Sequence, residues 1–101
     1  MLGFPCNQFG CEEPGTDAEI KAFAQSKYKV TFPMFSKIEV NGANALPLYQ
    51  YLKSDPAVGT HEIQWNFEKF LVNKQGKVVE RGEEGKKPFE FEQAIVALLS
   101  E

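Results

Sequence analysis

Residues 67–81 constrain the chain most. Phe67 to Val72 and Lys77 to Arg81 are rich in aromatic and branched side chains, and Asn73-Lys74-Gln75-Gly76 between them carries turn chemistry. Gly76 supplies the positive φ that such a connection needs. The pattern predicts an antiparallel hairpin. A charged loop follows from Gly82 to Lys87, and Pro88, at a first-turn position, opens a last helix with Phe91, Ala94, Ile95, Leu98 and Leu99 on one apolar stripe.

Upstream, Met1-Leu2-Gly3-Phe4 reads as the end of a buried strand halted at Pro5. Turn residues follow in Asn7-Gln8-Phe9-Gly10 and Glu13-Pro14-Gly15. Thr16 with Glu19 then forms a capping box for a helix from Asp17 to about Tyr28, whose Ile20, Phe23, Ala24 and Lys27 or Tyr28 share a face. Val30-Thr31-Phe32 is β-like before Pro33, and Lys37-Ile38-Glu39-Val40 alternates like a short strand ended by Asn41-Gly42. Ala45, Leu48, Tyr49 and Leu52 recur at helical spacing, with Asn44 as the expected cap. Pro56 to Glu62 is a polar loop. The order of elements is α/β: helices covering a small mixed sheet in a single domain over residues 1–101.

The 101 residues carry 11 Lys and Arg against 14 Asp and Glu, a net charge of -3, and the cations form no basic run, which argues against a nucleic-acid partner. The longest apolar stretch, Ala94 to Leu99, is too short to span a bilayer, so no transmembrane or signal segment is expected within these residues. Cys6 and Cys11, spaced C-x4-C, fit neither a zinc pair nor a C-x-x-C motif, and two cysteines are too few to staple a secreted mini-protein. No metal is expected, and a reducing compartment, the cytoplasm, is the default.

Gln8 lies just past the first strand, and Trp65-Asn66 just before the hairpin. If those strands run antiparallel in one sheet, all three residues fall on the same edge. An indole and two amides are neutral N–H donors suited to a thiolate or a developing alkoxide. Taken bare, Trp65 reads first as a core ring, and Gln8 and Asn66 as loop amides satisfying turns.

Gly3-Phe4-Pro5-Cys6-Asn7-Gln8-Phe9-Gly10, Glu13-Pro14-Gly15, Met34-Phe35-Ser36-Lys37-Ile38, Val40-Asn41-Gly42, Pro47-Leu48-Tyr49 and Trp65-Asn66-Phe67-Glu68-Lys69-Phe70-Leu71-Val72 resemble the glutathione peroxidase family, in its monomeric phospholipid-hydroperoxide form, along the whole chain. The resemblance implies a thioredoxin-like fold and thiol-dependent reduction of lipid hydroperoxides or hydrogen peroxide to alcohols or water, an antioxidant response to oxidative stress. It places Gln8, Trp65 and Asn66 in the family's three helper positions, with glutathione or another thiol as reducing co-substrate and no other cofactor.

The family's attacking cysteine or selenocysteine sits in a V-N-x-A-S-x-C-G turn upstream of the F-P-C-N-Q-F segment, and neither cysteine here replaces it. The chain is therefore expected to be roughly the carboxyl-terminal two-thirds of such an enzyme, a partial thioredoxin-like domain that is inactive alone. Members recycled by thioredoxin carry a resolving cysteine in E-I-x-x-F-C. Here Ala24 occupies that position, favouring glutathione. Two other readings stay open: a non-catalytic binding domain on the same scaffold, and a Cys6/Cys11 thiol-disulfide pair, against which stand the plain readings of Cys6 as a small buried hydrophobe and Cys11 as a surface thiol. His61 reads as solvated.

Overall fold

Thr16 opens the first helix as its spacing requires. In the computed structural model, which describes residues 1–101 as two compact units, Met1–Leu46 and Pro47–Glu101, helix α1 spans Asp17–Tyr28. Thr16 Oγ1 accepts from Glu19 N at 3.2 Å, and Glu19 Oε1 accepts from Thr16 N at 3.1 Å. The Thr16 N–H first, its hydroxyl next and the charge of Lys37 hold the Glu19 carboxyl below the usual carboxylate range, with desolvation working the other way. The helix ends at Lys29, in the left-handed region with φ 55°.

Of the expected α1 stripe, only Ile20 is buried. Pro5 and residues 34–36 face the first turns of α1, so Ile20 is covered while Phe23 and Tyr28, further along, are not. Those two rings instead meet edge to face at 5.7 Å, with Lys27 Nζ 5.4 and 5.5 Å from their centroids. Phe9, Ile20, Val40 and Ala45 form the core of this unit.

The strands expected at Met1–Phe4, Val30–Phe32 and Lys37–Val40 are not continuous ladders. Two isolated parallel bridges, Gly3↔Met34 and Cys6↔Ile38, stand in their place. Gly3 N donates to Pro33 O, Phe35 N to Gly3 O and Ile38 N to Pro5 O, each at 2.9 Å. Pro5 and Pro33 have no N–H to return, and the bridges lie four positions apart on one side against three on the other, so pairing cannot propagate.

The second helix begins later than its periodicity suggests. Ala45 N still donates to Gly42 O and Leu46 N to Glu39 O, and a residue preceding proline is disfavoured in the helical region. Helix α2 is therefore Pro47–Leu52, and Asn44 is not its cap.

In the second unit, strands β1 (Lys69–Val72) and β2 (Val78–Gly82) pair antiparallel with Lys69 opposite Gly82 and Phe70 opposite Arg81. A register shift between Leu71 and Val72 makes Val79 an extra residue, a bulge. Asn73 Oδ1 accepts from Gln75 N and Lys77 N, and Gly76 takes φ 84°. Tyr49 of α2 meets Phe70 edge to face at 6.0 Å. Lys53, buried, pairs with Glu62 at 2.9 Å.

Gly82 ends β2 where a Cβ would fall 2.5 Å from Phe91 Cζ. Pro88–Phe91 is a 3-10 turn leading into α3 (Glu92–Leu99), so the last helix starts tighter than expected. Its stripe is also less covered than expected: Phe91 is buried and Ala94 and Leu98 half-buried, but Ile95 and Leu99 are exposed. The only extended sheet is thus this antiparallel hairpin, and the parallel half of the expected mixed sheet is reduced to the two bridges. No helix is long and apolar enough to cross a membrane.

Candidate functional site

Gln8 sits in the turn after Pro5, whose reversal at Gly10 and Cys11 uses φ values of 67° and 51°. Asn7 Oδ1 accepts from Glu13 N at 2.9 Å and closes that loop. The Gln8 amide is held on both sides. Its Oε1 accepts from Val40 N at 2.8 Å and Asn41 N at 3.1 Å, and its Nε2 donates to Asn41 O at 3.1 Å and Glu39 Oε1 at 3.3 Å. Two backbone N–H donors on one oxygen fix which end of the amide is which. Asn7, Gln8, Lys37, Ile38 and Glu39 line an open cleft of about 410 Å³.

The half-buried Cys6 donates its S–H to Gln8 Oε1 at 3.5 Å, so the amide presents an acceptor to this sulfur. Cys11 is exposed, and both cysteines are free.

Trp65 and Asn66 lie together on the segment leading into β1, with Trp65 42% exposed and Asn66 half-buried. The adjoining Phe67 is 80% exposed and has φ 65°, an outlier for a bulky side chain. Glu68 next to it pairs with Arg81, both side chains almost fully buried. Arg81 also donates to Gly59 O and His61 O. His61 Nε2 is 3.8 Å from Glu83 and exposed, in keeping with the solvated reading. Gln8 belongs to the first unit, and Trp65 with Asn66 to the second.

Sequence reasoning missed three residues. Glu39 reads as one position of an alternating strand and gives no signal of its contact with Gln8. Glu68 and Arg81 look like ordinary hairpin charges; only the register, with Phe70 opposite Arg81, brings them to a buried pair.

Helices, a β-hairpin and parallel bridges define an α/β protein, and the solved structures it resembles define which. The crystal structure of Trgpx in apo form superposes with a TM-score of 0.76 at 39% identity, covering 99% of this chain and 57% of that one. That of T. cruzi GPX1 gives 0.70 at 38%, covering 98% and 59%. The family model for glutathione peroxidase matches residues 1–53. The chain belongs to the glutathione peroxidase family, with its thioredoxin-like fold. It is 55% identical over 100 residues to the glutathione peroxidase-like peroxiredoxin gpx1 of Schizosaccharomyces pombe, covering 98% of this chain and 63% of that protein. It is 52% identical over 101 residues to the chloroplastic phospholipid hydroperoxide glutathione peroxidase of Pisum sativum, covering 99% and 43%. The chain thus spans about half to two-thirds of the length of these curated relatives.

Proposed function

We propose that this chain carries the helper residues of a thiol-dependent hydroperoxide reductase, the nucleophile being supplied by coding sequence upstream of Met1. The observation that carries this reading is the likeness over nearly the whole chain to relatives named as peroxidases or peroxiredoxins, with Gln8, Trp65 and Asn66 all present. A thiolate or selenolate attacks the peroxide O–O bond, releasing an alcohol or water and leaving a sulfenic or selenenic acid. Two thiol equivalents then return it to the starting state, releasing water and a disulfide. The Gln8 and Asn66 amides and the Trp65 indole take the family's helper positions, as donors to the attacking anion and the leaving oxygen.

Cys6 is not assigned as that nucleophile, because it stands in the F-P-C-N-Q-F segment, downstream of the turn that carries the family's attacking residue. Ala24 in place of a resolving cysteine favours glutathione as reductant. Two free thiols suit a reducing compartment such as the cytoplasm. The test is hydroperoxide consumption by the 101-residue chain and by its Cys6→Ser, Cys11→Ser double variant. No turnover above that of free cysteine is expected from either; turnover that survives the double substitution would overturn the assignment of the nucleophile.

A further inference from the structure

The segment that carries Trp65 and Asn66 is tied down at both ends by one side chain. Arg81 donates from Nε to Glu68 Oε2, from Nη1 to Gly59 O at 3.0 Å and from Nη2 to His61 O at 2.9 Å. Each of its three nitrogens thus holds a different point of the chain, two before Trp65 and one after Asn66. Its guanidinium carbon lies 5.1 Å from the Phe70 ring centroid. The side chains of Arg81 and Glu68 are 2% and 3% exposed, so neither charge can leave the other without standing uncompensated in a low-dielectric interior. Between the anchors, Phe67 keeps a left-handed backbone with its ring 80% in solvent. Such a conformation persists only where the flanking chain over-determines it.

We propose that Arg81 is a positioning residue: through Glu68, Gly59 and His61 it fixes the place from which Trp65 and Asn66 act. This rests on the reading of those two as site residues, although its test reads their placement without turnover. A lysine has one point charge and no planar fork to reach three acceptors in different directions, so Arg81→Lys cannot restore the arrangement.

Trp65 is the only tryptophan, so fluorescence excited at the red edge of the indole band, where the three tyrosines do not absorb, reports on this segment alone. Arg81→Ala leaves a buried carboxylate without its partner and is not the variant of choice. Arg81→Met with Glu68→Met removes both charges and is expected to keep the far-UV circular dichroism of the wild type. In that double variant, and in Arg81→Lys, the amplitude of nanosecond local motion in the Trp65 anisotropy decay should rise about twofold or more. Lys86→Met breaks a neighbouring ion pair, with Glu80, that does not touch residues 59–68, and should leave the decay unchanged. An unchanged Trp65 decay in the folded double variant would overturn the proposal, as would an equal rise in Lys86→Met. Loss of the fold in the double variant would also overturn it, because the pair would then support the whole unit rather than the placement of one segment. The peroxidase reading stands or falls separately, on hydroperoxide consumption.

Discussion

Replacing Gln8 by alanine should cost far more than its exposed position suggests. Its amide takes part in four hydrogen bonds to residues 39–41, and one of them satisfies the backbone N–H of Val40, which is 2% exposed. Removing the acceptor of a buried N–H costs about 1–3 kcal/mol, while the three more exposed bonds are largely replaced by water at a few tenths each. The total is about 2–4 kcal/mol. For a chain of this size that lowers the midpoint of thermal unfolding by about 10–30 °C. Thermal melts by circular dichroism give the first number, and amide exchange at Val40 locates the effect. Gln8→Glu keeps the shape and can still accept from Val40 and Asn41, but it turns a carboxylate oxygen toward Asn41 O and the Glu39 carboxylate. Its loss of stability relative to wild type should therefore be larger at neutral pH than in acid, where the introduced carboxylate is protonated. A Gln8→Ala protein within about 0.5 kcal/mol of wild type, or unchanged exchange at Val40, would refute the clamp.

Other outcomes follow from separate features. Thr16→Ala should remove the α1 capping box and destabilise the first unit by about 1 kcal/mol, measured by urea unfolding. Because the Glu19 carboxyl is lowered in the fold, its contribution is complete above the ordinary carboxylate pKa and is lost as pH falls through the lowered value. Helicity of wild type and Glu19→Gln should accordingly differ at pH 6 and converge in acid. Gly82→Ala drives a methyl group into Phe91 and should cost about 1–3 kcal/mol by the same unfolding assay. The chain leaves Phe23, Tyr28, Phe67, Phe89 and Leu99 exposed and should self-associate in sedimentation; a chain that stays monomeric as its concentration is raised would contradict this. A thiol count after mild peroxide should stay at two per chain, whereas loss of both would revive a Cys6/Cys11 pair.

Local rules carried much of the fold. The Thr16/Glu19 box, the Asn73–Gly76 turn and Pro88 each act through hydrogen bonds or φ restrictions that span a few residues, so the sequence shows them directly. Where two rules competed, periodicity lost: Leu46 before Pro47 delayed α2, and Pro5 and Pro33 broke a parallel ladder that alternation alone suggested. The apolar stripes of α1 and α3 were legible as faces, but whether a face is covered depends on segments distant in the chain. The same holds for the site. Gln8, Trp65 and Asn66 stood out by motif, while the contacts beside them, the Val40 and Asn41 backbone and Glu39 at Gln8 and the Arg81–Glu68 pair near Trp65 and Asn66, emerge only from register and turn geometry.

The most direct measurement is the rate of hydroperoxide reduction by the protein expressed together with the coding sequence immediately upstream of Met1, in wild type and in Gln8→Ala, Trp65→Phe and Asn66→Ala. An in-frame strand-turn-helix segment bearing Cys-Gly or selenocysteine-Gly is expected, with kcat/KM falling about 100-fold in each variant as one donor to the reacting anion is lost. A stop codon directly before Met1, or rates unchanged in all three variants, would contradict the assignment of Gln8, Trp65 and Asn66 as peroxidase helpers.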